Sequence, residues 1–179
     1  MMGFIKNVKI SAKYYSRKVI THFLDIANER KVFMKHIRNF LVIKDVYSVT
    51  VFQQTRNRYH LNVTGIKSLE EVKQTLLWLE EVYCRKELFD FISYNVDNIT
   101  STFNLARNIS LHNLASTFPG ISYNPERFHA LYMKTRKGTV VAFQSGKINI
   151  LGCKSLDDIL HLWSLVKWKL NAVYLKVTS

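Results

Sequence analysis

An α+β fold built from two tandem, pseudo-symmetric repeats, residues 1–90 and 91–179, is what this sequence predicts, on three observations. The first is internal likeness. His60-Leu-Asn-Val-Thr-Gly-Ile-Lys-Ser-Leu-Glu-Glu71 lines up with Lys147-Ile-Asn-Ile-Leu-Gly-Cys-Lys-Ser-Leu-Asp-Asp158, with Gly65 against Gly152 and Ser68 against Ser155, 87 residues apart. The second is a pattern of three strands in the stretch from Tyr123 to Ser155. Val140 to Phe143 and Lys147 to Leu151 flank Gln144-Ser145-Gly146, where a glycine free to take positive φ makes a tight hairpin, and a basic turn from Lys134 to Gly138 precedes it. The third is one helical face used twice: Leu69, Val72, Leu76, Leu79 and Tyr83 recur as Leu156, Ile159, Trp163, Val166 and Leu170.

The elements follow in order. Ile5 to Tyr15 predicts a strand, and Arg17 to about Lys35 a helix with Val19, Phe23 and Ile26 on one face. Three strands and a helix complete the copy. Ser68 and Ser155 are placed to cap the two long helices, with Glu71 and Asp158 three residues on, where a carboxylate answers the free amides of a first turn. In the second copy Val96 to Ala106 predicts a strand. Leu111, Leu114, Ala115 and Phe118 predict a short helix stopped by Pro119-Gly120. The tail from Ala172 to Val177 alternates like one further strand. Lys6-Asn7-Val8 matches Asp97-Asn98-Ile99, and Phe52 matches Phe143, at an offset of 91 rather than 87. The difference of four places an insertion in the first copy's hairpin, at Gln53 to Tyr59, where a loop absorbs it cheaply. Neither half buries enough surface to stand alone, so the two make one domain.

Charge points to a partner. With 26 Lys plus Arg against 13 Asp plus Glu the chain carries +13, more than solubility asks of a small domain (a magnitude of roughly 2–8), and a polyanion such as nucleic acid is the natural complement. Cys84 and Cys153 stand far apart with no histidine cluster beside them, so no zinc site or disulfide framework follows and a reducing interior is the expected setting. No apolar run near Met1 has signal-peptide character and no segment is long and uncharged enough to span a bilayer, so no membrane association is expected. The sequence holds no phosphate-cradling glycine loop, no His-x-x-x-His pair and no nucleophile elbow. His22, His36, His60, His112, His129 and His161 are scattered. No enzyme, cofactor, metal or small-molecule substrate is expected.

The order of the fragments resembles the TATA-box-binding protein family. That family carries a Y-x-P-x-x-F segment, a basic loop, an F-x-S-G-K hairpin and a glycine-to-serine exit into a helix. Here those are Tyr123, Pro125 and Phe128; Lys134 to Lys137; Phe143-Gln144-Ser145-Gly146-Lys147; and Gly152-Cys153-Lys154-Ser155. Asn98-Ile-Thr-Ser-Thr-Phe-Asn-Leu is similar to the family's first strand, Q-N-I-V-S-T-V-N-L. The likeness is strong from about Val96 to Lys169 and weak before it.

The resemblance implies that the two repeats form one curved antiparallel sheet, a saddle with helices on its convex side and DNA under its concave face. It implies a transcription initiation factor, intracellular and nuclear, or at a cytoplasmic viral transcription site if the lineage is viral. Such a factor bends A·T-rich promoter double-stranded DNA through the minor groove and recruits a B-type initiation factor and RNA polymerase. Phe128, Phe143, Phe52 and Ile37 would act as wedges between base steps; the other reading of such residues is plain core. Ile37 takes its place by subtraction from Phe128, with Phe33 and Phe40 close by. Asn7 and Asn98, with Thr64 and Thr100, would meet the minor-groove acceptors that A·T and T·A pairs share. Arg38, Lys44, Arg56, Arg58, Lys67, Arg127, Lys134, Arg136, Lys137, Lys147 and Lys154 would contact phosphates, or else form a solvated rim. Asn124, Pro125 and Glu126 would meet the initiation factor, although Asn124 replaces an acidic residue. Lys9, Thr100, Asn62, Asn149 and Leu151 depart from the family's pattern and make the concave face more polar. That favours a second reading, a module of this shape that works by protein contacts or non-specific nucleic-acid binding without TATA preference.

Overall fold

The structure, a computed structural model, describes residues 4–38 and 40–178, with side chains as far as Tyr174. Its chain divides into two compact units, Asn7–Asp97 and Asn98–Ser179, the latter with the N-terminal residues through Lys6.

The first repeat runs β1 (Phe4–Tyr15), α1 (Thr21–Glu29), β2 (Phe33–Ile37), β3 (Phe40–Lys44), β4 (Ser48–Thr55), β5 (Arg58–Ile66) and α2 (Glu71–Val82). Its strands lie in the order β2-β3-β4-β5-β1, all antiparallel. The second runs β6 (Asp90–Asn104), α3 (Leu111–Thr117), β7 (Ile121–Tyr123), β8 (Ala130–Lys134), β9 (Thr139–Phe143), β10 (Lys147–Cys153) and α4 (Leu156–Thr178). Its order is β6-β10-β9-β8-β7, again antiparallel.

Period-two alternation gives each sheet two chemically different sides. In the first unit Val8, Ile10, Ala12 and Tyr14 of β1, Leu61 and Val63 of β5, Val49 and Val51 of β4 and Leu41 and Ile43 of β3 are buried. Phe23, Ile26 and Ala27 of α1 and Val72 and Leu79 of α2 complete that core. In the second, Ile99 and Phe103, Ile148 and Ile150, Val140 and Ala142, and Leu131 and Met133 are buried with Ile159, Leu162, Trp163, Val166 and Leu170 of α4. Trp163 stacks on Phe103, centroids 4.2 Å apart and planes 12° off parallel. Apart from buried Ser11, Ala130 and Val141, the residues that alternate with these on the other side of each sheet are half-exposed or exposed; that side is the open face.

Both serine caps form. Ser68 Oγ accepts the Glu71 N–H at 3.1 Å while a Glu71 carboxylate oxygen accepts the Lys67 N–H at 2.7 Å, and Ser155 Oγ accepts the Asp158 N–H at 3.2 Å. The Lys67 amide, above all, holds the Glu71 carboxyl below the usual carboxylate range, and the Ser155 side chain, above all, does the same for the Asp158 carboxyl, with Lys137 adding to it.

The structure differs from the sequence expectation in four places. Each repeat has four strands after its first helix, not three, because β2 and β7 are short outer strands. The helix expected from Arg17 to Lys35 is only Thr21–Glu29: Lys31 takes φ 55°, a left-handed stop, and Phe33 onward pairs as strand with Phe40 to Lys44. The tail is not a strand, since α4 runs 23 residues to Thr178 and no glycine or proline interrupts it. Finally, the four-residue insertion is not a loop. It lengthens β4 and β5, which close through Arg56-Asn57.

Candidate nucleic-acid interface

Each repeat places one asparagine against a glycine bulge. In the β1–β5 ladder Val8 pairs with Ile66 and Ile10 with Val63, so Lys9 faces both Thr64 and Gly65. Gly65 takes φ 101°, where glycine alone is at ease, and its N–H turns out of the ladder to donate to Asn7 Oδ1 at 2.9 Å. The β6–β10 ladder repeats this. Ile99 pairs with Cys153 and Ser101 with Ile150, leaving Thr100 opposite Leu151 and Gly152; Gly152 takes φ 80° and donates to Asn98 Oδ1 at 2.8 Å. A backbone N–H demands an acceptor, so the orientation of both amides is fixed. Each Asn then keeps two Nδ2 hydrogens as donors.

The cross-strand rows show what the open face displays. In the first unit one row reads Lys13, His60, Phe52, Phe40, Ile37, and the next Ser11, Asn62, Thr50, Val42, Lys35. His60 Nε2 and Asn62 Oδ1 lie 3.0 Å apart. In the second unit the matching row is Thr102, Asn149, Val141, Tyr132, Ser122, with the Thr102 hydroxyl donating to Asn149 Oδ1 at 2.9 Å.

Phenylalanines flank these rows. Phe128 is 46% exposed and its ring centroid lies 6.4 Å from that of Phe143 and 5.5 Å from that of Tyr132. It is presented by the turn at Asn124, whose backbone carbonyl accepts the N–H groups of Arg127 and Phe128 and whose side chain accepts that of Glu126. Pro125 and Glu126 form the exposed crest of this turn. In the first unit the ring against Phe52 is that of Phe40, at 5.4 Å. Ile37 sits across from Phe40 on β2. Ladder position matches Phe40 to Ala130, since these pair with Phe52 and Phe143 respectively. Subtracting a constant offset missed this because residues 124–129 join β7 to β8, whereas only Arg38 and the residue after it join β2 to β3. The alternation of Phe40-Leu-Val-Ile-Lys44 is the signal that marks Phe40.

All eleven cations named from the sequence are exposed. Arg56 and Arg58 cap the β4–β5 hairpin. Lys134, Arg136 and Lys137 line the β8–β9 turn. Lys147 opens β10, Lys67 and Lys154 precede α2 and α4, Arg38 follows β2 and Arg127 lies in the Phe128 turn. Lys44 Nζ lies 5.3 Å from the Phe33 centroid, and Lys137 pairs with Asp158 at 3.7 Å. Sequence reasoning passed over one polar group: buried Ser11 donates to Asp97 Oδ1 at 3.1 Å, and Lys9 Nζ lies 3.7 Å from Asp97 Oδ2.

Among the described residues no group of three or more His, Cys, Asp or Glu could hold a metal ion, and no helix is long and apolar enough to cross a membrane. Cys84 and Cys153 are buried and unbridged, and burial pushes both thiols up.

A family model described as "Transcription factor TFIID (or TATA-binding protein, TBP)" matches residues 93–172. A TATA-box-binding protein of Thermoplasma volcanium is 31% identical over 84 residues, 46% of either chain, and TATA-box-binding protein E of Halobacterium salinarum is 32% identical over 85, again 46% of each. In sequence the chain thus spans about half the length of the curated relatives it matches. Among solved structures, Methanococcus jannaschii TBP superposes with a TM-score of 0.77 at 21% identity, covering 96% of this chain and 99% of that one. The α+β class expected from the sequence is the class of this fold.

Proposed function

We propose that this chain is a member of the TATA-binding protein family, and with it a DNA-binding transcription initiation factor that seats its open faces in the minor groove of A·T-rich double-stranded DNA and bends it, a reading supported by the family match over residues 93–172 and by the likeness of fold. The observation that carries the reading is the pair of anchored asparagines. With Oδ1 of Asn7 and Asn98 committed to glycine amides, each side chain presents only donors, and the minor-groove edges of A·T and T·A pairs present only acceptors. A guanine amino group would meet those donors with another donor. Thr64, on the β5 bulge, and Thr100, opposite the β10 bulge, add hydroxyls that donate or accept.

Phe128 with Phe143, and Phe52 with Phe40 and Ile37, are the apolar groups that would enter base steps and kink the duplex. The exposed cations at the turns would hold phosphates without reading sequence. The exposed Asn124-Pro125-Glu126 crest supports a partner contact of limited area; a B-type initiation factor and, through it, RNA polymerase are the partners proposed, in the compartment where transcription takes place. None of this requires catalysis or a cofactor.

The test is binding to an A·T-rich and a G·C-rich duplex carrying end-labelled dyes. A preference for the A·T-rich duplex with a shortened end-to-end distance supports the proposal; binding without bending or preference refutes it. One observation favours a second reading, a module that works through protein contacts or non-specific nucleic-acid binding: the Asp97 carboxylate beside Lys9 and Ser11 is a poor neighbour for acceptor-only base edges. On that reading the two duplexes bind alike.

A further inference from the structure

The Lys9–Ser11–Asp97 group carries a more specific consequence, one that rests on the minor-groove reading above. Ser11 stands on the open side of β1, in the row with Asn62 and Thr50, and is 4% exposed. Its hydroxyl is spent on Asp97 Oδ1 at 3.1 Å, which fixes the carboxylate. Lys9 Nζ, 3.7 Å from Oδ2, balances the charge, and both of these side chains remain about one-third exposed. A fixed acceptor and a fixed donor therefore stand side by side and within reach of a ligand.

No A·T or T·A pair offers a donor in the minor groove, so over such a pair Asp97 would lose water and gain nothing. A G·C pair differs: the guanine N2 amino group projects into the groove as a donor, between the acceptors guanine N3 and cytosine O2. Carboxylate to amino group and ammonium to a neighbouring acceptor satisfies both charges at once. The second repeat supplies no copy of this device, because Lys9 is replaced by Thr100, and Asp97 itself corresponds to Lys6. We propose that Asp97, oriented by Ser11 and neutralised by Lys9, selects one G·C pair within an otherwise A·T-rich site.

The experiment is a scan: an A·T-rich duplex and a series in which one pair at a time is replaced by G·C, each titrated with the full chain. At one position G·C should bind about fivefold or more tighter than A·T, the lower range of a good base-edge contact. Asp97→Ala should reverse the preference at that position alone and tighten binding to the all-A·T duplex, a gain that a damaged fold would not produce. Asp97→Asn, close to isosteric, should bring the ratio toward unity, and serves if the alanine variant folds poorly. A profile in which every G·C substitution weakens binding, or one that Asp97→Ala and Asp97→Asn leave unchanged, overturns this inference while leaving minor-groove binding intact. Failure to bind any duplex overturns both.

Discussion

The side-chain carbonyl of Asn98 accepts the backbone N–H of Gly152 at 2.8 Å, and that single bond both closes a β-bulge and decides which end of the amide faces outward. Asn7 and Gly65 reproduce it at 2.9 Å in the other repeat. Asn98→Ala removes two functions together. The Gly152 N–H loses its partner, which costs about 1–3 kcal/mol where a group is desolvated and less here, since Gly152 is exposed. The donors toward DNA also vanish, so binding to A·T-rich duplex falls more than binding to G·C-rich duplex. Asn7→Ala should behave alike; thermal melts with paired binding isotherms separate the two effects.

Phe143→Ala tests whether the ring is wedge or core. Phe143 is half-buried, unlike Ile148 and Ile150 on the neighbouring strand, which are fully buried. Truncation of a fully buried phenylalanine costs about 3–5 kcal/mol. The expected outcome is a loss well below that range together with a large loss of duplex bending, read by denaturant melts and dye-to-dye distance. A stability loss within that range assigns the ring to the core.

The salt dependence of binding follows from the turns. Each phosphate neutralised contributes roughly −0.9 to the slope of log K against log salt concentration. Arg56→Ala and Arg136→Ala should each make that slope about one step shallower and weaken A·T-rich and G·C-rich duplexes equally. Isotherms over a salt series check this, and a flat response in the parent chain removes DNA from its function.

Acid should destabilise the first repeat through Asp45. The Arg30 guanidinium grips this carboxylate at 2.6 and 3.1 Å and the Tyr83 hydroxyl donates to it at 2.8 Å, joining the end of α1 to the end of α2. The Arg30 hydrogen bond, above all, holds its carboxyl below the usual range, and Tyr83 and the Val46 amide add to this. A depressed native value adds stability that is present above the unfolded pKa, about 4, and is lost as pH falls through the lower native value. Asp45→Asn should therefore lose about 2 kcal/mol at neutral pH and almost nothing at a pH below both values. Denaturant melts at the two conditions decide it.

The helix caps and the β9–β10 hairpin were legible in the sequence because they rest on local chemistry: a serine three residues before an acid, a glycine between two alternating runs. The outer strands were not. Phe33 to Ile37 is too short to show a period of its own, and only its pairing with Phe40 to Lys44 makes it a strand. At the candidate interface, Asn7 and Asn98 were named by correspondence between repeats, but the bond that orients them depends on a bulge in a different strand. Phe40 was named only as a neighbour of Ile37 because residues equivalent in the ladder are not equidistant in the chain. Asp97 escaped notice since a carboxylate has no recognisable spacing from the serine and lysine it meets.

The longer β4–β5 hairpin shows where a strand of this sheet takes up extra residues. Its extra residues lie beyond Phe52, toward Arg56 and Asn57, so Thr50 and Phe52 keep the sides of the strand they share with Val141 and Phe143. Side chains alternate with every residue, and one residue gained between Ser48 and Phe52 would have turned the strand inside out, driving Val49 and Val51 into water. Growth at the tip escapes that rule. The fold therefore accommodates a change of hairpin length at the tip, whereas an odd change of length between Ser48 and Phe52 reverses which side chains face the core.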